Sequence, residues 1–270
     1  MHRTVRSLSR GLAILAELSA GGPSSVQALA KKTGLNRTTC YRLLETLQFE
    51  GYVVADDSRG HFSLTPQVRR LSEGMSTRDL FSQAALPAMF SLMKKVKWPS
   101  DFAVFDVGWL VIRESTHPFS PFSVHRAMIG RRRSLLRSSL GRALLTAAEP
   151  ELRRELLEIT ASFNEQDASL ARDRSYISRL VAKTLEDGYG SSVDEIEGGI
   201  SAIALAVGAG SSVIGCLNLV FFSSSMPTQV AAQRYLPFLR KTVEEIEDRW
   251  RASSEEQSVT WKIAKGADAA

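Results

Sequence analysis

Leu35-Asn36-Arg37-Thr38-Thr39-Cys40-Tyr41-Arg42-Leu43-Leu44-Glu45-Thr46-Leu47 is the stretch whose reading decides the fold of the first third of the chain. Asn36 is a helix-capping residue type, and the helix it opens is expected to run to about Glu50. Cys40, Leu43, Leu44 and Leu47 recur at helical spacing and form its buried stripe. The opposite face carries Thr38, Arg42 and Glu45, with Arg37, Thr39 and Tyr41 towards the flanks. Upstream, Thr33-Gly34-Leu35 reads as a tight turn with glycine at the left-handed position. Before it, Ser24 or Ser25 caps a short helix whose inner face is Val26, Leu29 and Ala30. Lys31-Lys32 stand in its last turn, where the helix dipole favours cations. A first helix shows Leu8, Leu12, Leu15 and Leu18 on one face and ends at Gly21-Gly22-Pro23.

Helix, short helix, glycine turn and a helix with a small-polar and arginine face make the helix-turn-helix pattern. A duplex major groove about 12 Å wide admits such a helix. Arginine reaches guanine edges with two hydrogen bonds, and Thr and Tyr hydroxyls suit phosphates or bases. The bland alternative is a three-helix bundle with a merely wetted face. Against it, Gly51-Tyr52-Val53-Val54-Ala55 and His61-Phe62-Ser63-Leu64-Thr65 are strand-like and flank the turn Asp56-Asp57-Ser58-Arg59-Gly60. A hairpin directly after a recognition helix is a wing, with Arg59 at its tip. The expected contacts to double-stranded operator DNA are Ser25, Arg37, Thr38, Thr39, Tyr41, Arg42 and Arg59.

Charge agrees with that assignment. The 270 residues carry 34 Lys+Arg and 29 Asp+Glu, a net of +5. Residues 1–79 hold 11 basic and 7 acidic residues, a net of +4, so most of the excess lies in the first third and points to a polyanion. A second basic group comprises Arg113, Arg126, Arg131, Arg132, Arg133, Arg137 and Arg142. It fits a solvated face, a ligand pocket or contacts between subunits.

Two cysteines cannot staple a chain of this length, which predicts a reduced, cytoplasmic protein. Leu12 to Leu18 is too short, and carries an acid, for a signal peptide. From Gly198 to Gln233 there are 36 positions without a charge, yet Gly208-Ala209-Gly210-Ser211-Ser212 interrupts them. A membrane helix needs about 20 apolar residues in sequence, so two buried strands joined by a glycine turn fit better.

Thr65-Pro66 opens a further helix, with Val68, Leu71 and Met75 as a narrow stripe interrupted by Gly74. Beyond it helices and strands alternate. Helices are expected over Phe81 to Val96, Leu140 to Ala148, Glu151 to Thr160, Tyr176 to Glu186 and Thr228 to Arg251. Phe102 to Val107 and Leu110 to Ser115 are expected strands around Gly108-Trp109. The fold class is α+β. The expected parts are a DNA-binding domain over 1–65, a linker helix over 66–80, an effector domain over 81–252 and a frayed tail over 253–270.

Catalytic chemistry is hard to find. Cys40 and Cys216 sit on apolar faces without a neighbouring His, and His2, His61, His117 and His125 lack metal-ligand spacing. His117 and His125 read as structural. Gly208-Ala209-Gly210 starts like a phosphate loop, but Val213 stands where the third glycine belongs. No cofactor is expected, and an enzyme with an incidental basic helical domain is the distant alternative.

Val5-Arg6-Ser7-Leu8-Ser9-Arg10-Gly11-Leu12, the Leu35–Leu47 stretch and Gly51-Tyr52-Val53 resemble the amino-terminal domain of IclR-type bacterial transcriptional regulators. The segment Ile129 to Leu145 is similar to that family's central signature, as are Gly188-Tyr189-Gly190 and Glu197 to Ala204. The resemblance implies a winged helix-turn-helix, a linker helix that helps pair two chains, and a GAF-like carboxy-terminal domain that holds a small organic effector. It further implies a homodimer or tetramer acting on DNA near the nucleoid. Carried over, Arg137, Ser138, Ser139, Leu140, Ser192, Cys216 and Asn218 would line the pocket. The N–H groups at the helix start would seat a carboxylate. Ser192 and Ala202 stand where some relatives carry an acid and a cysteine, which argues against a very small keto acid.

Trp98-Pro99-Ser100-Asp101, Arg113 to His117, His125 to Arg132 and Gly215 to Val220 are similar to family members that activate phenylpropionate and hydroxyphenylpropionate catabolism. That likeness implies an aromatic acid effector, with Arg137 or Arg126 near its carboxylate, and RNA polymerase as a partner of an activator. A repressor with another small effector stays open, as does the choice between pocket and subunit contacts for Arg126 and Arg131-Arg132-Arg133.

Overall fold

The computed structural model describes residues 5–56, 58–73, 80–123, 125–209 and 212–267. The chain divides into two compact units, one of the residues up to Arg78 with His125–Ala127, the other of Asp79–Val124 and the residues from Met128 on.

In the first unit α1 (Arg6–Gly21) leads through β1 (Ser24–Ser25) into α2 (Val26–Thr33) and α3 (Arg37–Phe49). The antiparallel hairpin β2 (Val53–Asp56) and β3 (His61–Leu64) follows, with Val53 opposite Leu64 and Asp56 opposite His61. β1 pairs on the outer side of β3. Ile14, Leu18, Leu29, Cys40, Leu44, Val53 and Phe62 form the core. Leu43 and Leu47 pack against it, as the α3 stripe predicts. The α1 stripe differs from expectation. Ile14 and Leu18 are buried, while Leu8 and Leu12 are more than half exposed, because the core of this unit covers only the second half of that helix. After the hairpin Thr65 caps a 3-10 turn, Pro66–Arg69, which continues as α4 (Arg70–Glu73). Met75 and the rest of the expected linker helix, 74–79, lie outside the described residues.

The second unit is an antiparallel sheet with helices on both faces. Its helices are α5 (Leu80–Val96), α6 (Ser139–Ala147), α7 (Pro150–Phe163), α8 (Ala168–Arg172), α9 (Arg174–Asp187) and α10 (Thr228–Ala267). Its strands are β4 (Asp101–Asp106), β5 (Trp109–Ser115), β6 (Arg132–Arg133), β7 (Gly190–Val193), β8 (Ile200–Ala209) and β9 (Ser212–Phe222), in the order β6-β5-β4-β9-β8-β7. The charge-free run forms the long pair β8 and β9, matched from Ile200 opposite Phe222 to Ala209 opposite Ser212. Paired on both sides and covered on both faces, these strands have no position that favours a charge.

Side chains alternate across β9. Leu217, Leu219 and Phe221 join Met89 and Leu92 of α5 and Tyr235, Leu239 and Ile246 of α10 in one core. Cys216 joins Ala103, Ile112, Ala204 and the α6 residues Leu140 and Leu144 in the other. β6, β7 and α8 escape prediction because they are short and polar. α10 runs past Arg251 to Ala267, through the stretch expected to be a frayed tail. After Pro237 the sequence contains no helix breaker before Gly266.

Candidate DNA interface and effector site

The glycine turn and two caps set the angle at which α3 is presented. Ser25 accepts from Ala28 N at 3.3 Å to start α2, and Gly34 closes it in the left-handed conformation. Asn36 Oδ1 accepts from Thr39 N at 2.7 Å to start α3. With Cys40 and Leu44 buried, Arg37, Thr38, Tyr41, Arg42 and Glu45 are exposed and Thr39 is half-buried. Thr38 and Arg42 therefore share an open face, one helical turn apart. Tyr41 instead faces a groove of about 740 Å³ between α3 and the hairpin, lined also by Glu45, Phe49, Asp56 and His61. At the hairpin tip Arg59 is 80% exposed, its Nε 3.9 Å from Asp56 Oδ2. The Ser58 hydroxyl, bonded to Asp56, holds that carboxyl below its ordinary range. Asp57 lies outside the described residues.

The expected effector residues meet between α6 and the sheet. Ser138 caps α6: its hydroxyl accepts from Gly141 N at 3.1 Å and donates to Ser134 O at 2.6 Å. Ser139 and Leu140 are buried in the first turn, where no preceding helical carbonyl takes their N–H groups. Gly190 on β7 permits this approach, since a Cβ there would overlap the Ser139 carbonyl oxygen and stand 2.7 Å from Ala143 N. Ser192 pairs with Ala202, and Asn218 with Ala204, so these side chains line the sheet face that also carries Cys216. Ser192 and Asn218 are buried, and burial pushes the Cys216 thiol far up. Leu140 and Cys216 belong to the hydrophobic core there.

Arg137 goes elsewhere. Its Nε lies 3.3 Å from Asp167 Oδ1, and it donates to the Gln166 carbonyl at 2.5 Å. Asp167 is fully buried beside Ser134 and Asn164, and a buried carboxylate demands a cation. The arginine expected beside the effector is thus tied to the α7–α8 connection.

Three residues outside the expected set occupy the polar end of the sheet face. Asp101, 1% exposed, opens β4; its backbone N donates to Asn218 Oδ1 at 2.7 Å, and its Oδ2 lies 3.5 Å from His117 Nε2. His117, read as structural, is buried, with Nδ1 2.6 Å from Ser123 Oγ. Burial works to raise the Asp101 carboxyl, but His117, the Ser115 hydroxyl and the Arg133 charge outweigh it, leaving it below the ordinary range. Arg133 on β6 is half-buried, unlike exposed Arg126, Arg131 and Arg132. Burial pulls it below the usual arginine range, opposed first by the Asp101 charge and also by Glu197. Alternation pointed to this: Arg133 pairs with Leu110, a core residue, so it faces inward. No group of three or more His, Cys, Asp or Glu is placed to hold a metal among the described residues. No described helix is long and apolar enough to cross a membrane.

Known proteins share both units. A family model described as the IclR helix-turn-helix domain matches residues 7–57. One described as the bacterial transcriptional regulator IclR C-terminal domain matches residues 74–248. The p-hydroxybenzoate hydroxylase transcriptional activator of Acinetobacter baylyi is 27% identical over 251 residues, 90% of this chain and 90% of its own. The Pca operon regulatory protein of the same organism is 26% identical over 90% of this chain and 88% of its own. The crystal structure of an IclR homolog from Microbacterium hydrocarbonoxydans, complexed with 4-hydroxybenzoate, matches with a TM-score of 0.58 at 22% identity, covering 91% of this chain and 99% of that one. At that identity the likeness shows a shared fold.

Proposed function

The chain belongs to the IclR family of DNA-binding transcriptional regulators, and from that premise we propose that it activates a catabolic operon when its second unit binds an aromatic acid. In this reading Arg37, Thr38, Thr39 and Arg42 enter the major groove, Tyr41 and Ser25 contact backbone, and Arg59 reaches the flanking duplex. The open face of α3 that joins Thr38 to Arg42 is the observation that carries it. Ser138, Ser139, Ser192 and Asn218 bound the effector site, and the arginine in reach of it is Arg133 rather than Arg137.

The aromatic class draws on two relatives named for p-hydroxybenzoate hydroxylase and the Pca operon, and on the 4-hydroxybenzoate in a protein of the same fold. A dimer or tetramer in the bacterial cytoplasm presents two recognition helices to half-sites about one helical turn or a multiple apart. Effector binding alters transcription only through unequal affinity for two arrangements of the protein. The family comprises transcription regulators, so turnover plays no part in this reading.

The test is a gel shift and in vitro transcription on the region upstream of its neighbouring catabolic genes, with and without benzoate and phenylpropionate acids. Activation needs a shifted operator and more transcript with acid. Less transcript from the same shifted operator makes the protein a repressor. Absence of any shift overturns the reading.

A further inference from the structure

We propose that Glu45 is a base-reading residue of α3, selecting a cytosine in each operator half-site through its exocyclic amine. The inference rests on the reading that α3 enters the major groove, and adds a residue and a base that this reading leaves out.

Glu45 stands seven residues after Thr38 and three after Arg42, in line with Thr38 two helical turns on. All three side chains are exposed. Two other acids of this unit have cations at hand: Glu17 lies 3.8 Å from Lys32, and Asp56 3.9 Å from Arg59. Glu45 has no such partner among the described residues, and neither has Arg42 one turn before it. The helix therefore offers an open cation and an open anion side by side on the face that meets the duplex.

A carboxylate only accepts hydrogen bonds, so it can make no phosphate contact and is repelled by the backbone it approaches. Its use at such a surface lies in the base edges. In the major groove guanine shows N7 and O6 and thymine O4, acceptors that repel a carboxylate too. Cytosine and adenine show amines. Adenine sets the acceptor N7 beside its N6 amine, whereas cytosine N4 has no acceptor next to it on that edge. Cytosine is therefore the base that Glu45 favours. Three residues climb the helix by about 4.5 Å, little more than one base-pair step of about 3.4 Å. The cytosine is expected within about two base pairs of the pair that Arg42 contacts.

The experiment is selection of sites from a random duplex pool by the full chain and by its Glu45→Ala, Glu45→Gln and Arg42→Ala variants, followed by competition gel shifts. The unaltered chain is expected to prefer cytosine at one position of each half-site, by about five-fold or more over guanine or thymine. Glu45→Ala is expected to lose that preference alone and to hold random duplex more tightly, since a negative charge has left the interface. Glu45→Gln is expected to turn the position to adenine, because an amide matches both N6 and N7. Sites unchanged in both Glu45 variants but disturbed in Arg42→Ala overturn the proposal and leave α3 as the reading helix. Uniform loss on every sequence in Glu45→Ala also overturns it, since a base contact acts at one position. A site that none of the three variants alters, or a pool from which the unaltered chain enriches nothing, overturns the reading of α3 and this proposal together.

Discussion

Arg142 of α6 grips Glu195, beyond the end of β7, with both prongs of its guanidinium: Nη1 lies 2.7 Å from Oε1 and Nη2 2.6 Å from Oε2. The same side chain donates to the carbonyls of Leu136 and Ser191, at 3.0 and 2.6 Å. This arginine therefore ties the start of α6 to the sheet edge beside Ser192. Arg142→Ala is expected to lower unfolding free energy by about 2–3 kcal/mol, because it removes charge-assisted bonds and strands two carbonyls. Arg142→Lys restores little, since an ammonium cannot make the fork. Urea unfolding of the two variants checks both statements.

Arg42 stands at the centre of the open α3 face. Arg42→Ala is expected to weaken operator binding by about 1–3 kcal/mol and random duplex by much less, as loss of a base contact requires. Competition gel shifts at fixed salt measure the ratio. Equal loss on both DNAs would make Arg42 a phosphate contact.

Gly190→Ala tests the seat of α6. The added carbon overlaps the Ser139 carbonyl and crowds Ala143 N, both backbone atoms that cannot swing aside. Destabilisation of about 1–3 kcal/mol is expected, with weakened acid binding and unchanged affinity for operator without acid. Calorimetry and gel shifts on one preparation separate these effects.

Asp101 gives a pH signature. Its carboxyl is lowered in the folded chain, so it stabilises fully above its ordinary value of 3.8, and that contribution disappears as pH falls through the lowered value. Between pH 5 and 8 this group adds no slope. Asp101→Asn is expected to flatten the loss of stability below about pH 4, measured as urea midpoints across that range.

Both cysteines are buried, and burial raises both thiols, Cys216 most. Neither forms thiolate readily, so a disulfide reagent is expected to titrate them slowly in the folded chain and rapidly in denaturant. Fast labelling of either thiol in native protein would contradict the packing described for α3 and β9.

Much of this was legible in the residues. The period of Cys40, Leu43, Leu44 and Leu47 and the cap at Asn36 fixed the orientation of α3, because local spacing and a nearby side chain determine both. The glycine-interrupted apolar run likewise announced β8 and β9. Partners distant in sequence left no such mark. Nothing around Arg137 announces that Asp167 will claim it, and nothing near Asp101 announces Asn218 or His117. α1 misled for a related reason: helical spacing shows which face is apolar, not how far along that face a neighbour extends.

The order of strands in the larger sheet has a consequence for synthesis. β4 pairs with β9, which emerges from the ribosome about 110 residues later, on the order of 5–20 s at ordinary elongation rates. The strand pairings of the winged unit all lie between Ser24 and Leu64, so its small sheet can close once Leu64 is free. A nascent chain can thus close the small sheet of the winged unit while the hairpin of β4 and β5 still waits for its neighbour. Premature termination in that interval would release the winged unit with the larger sheet still lacking its central strand pair.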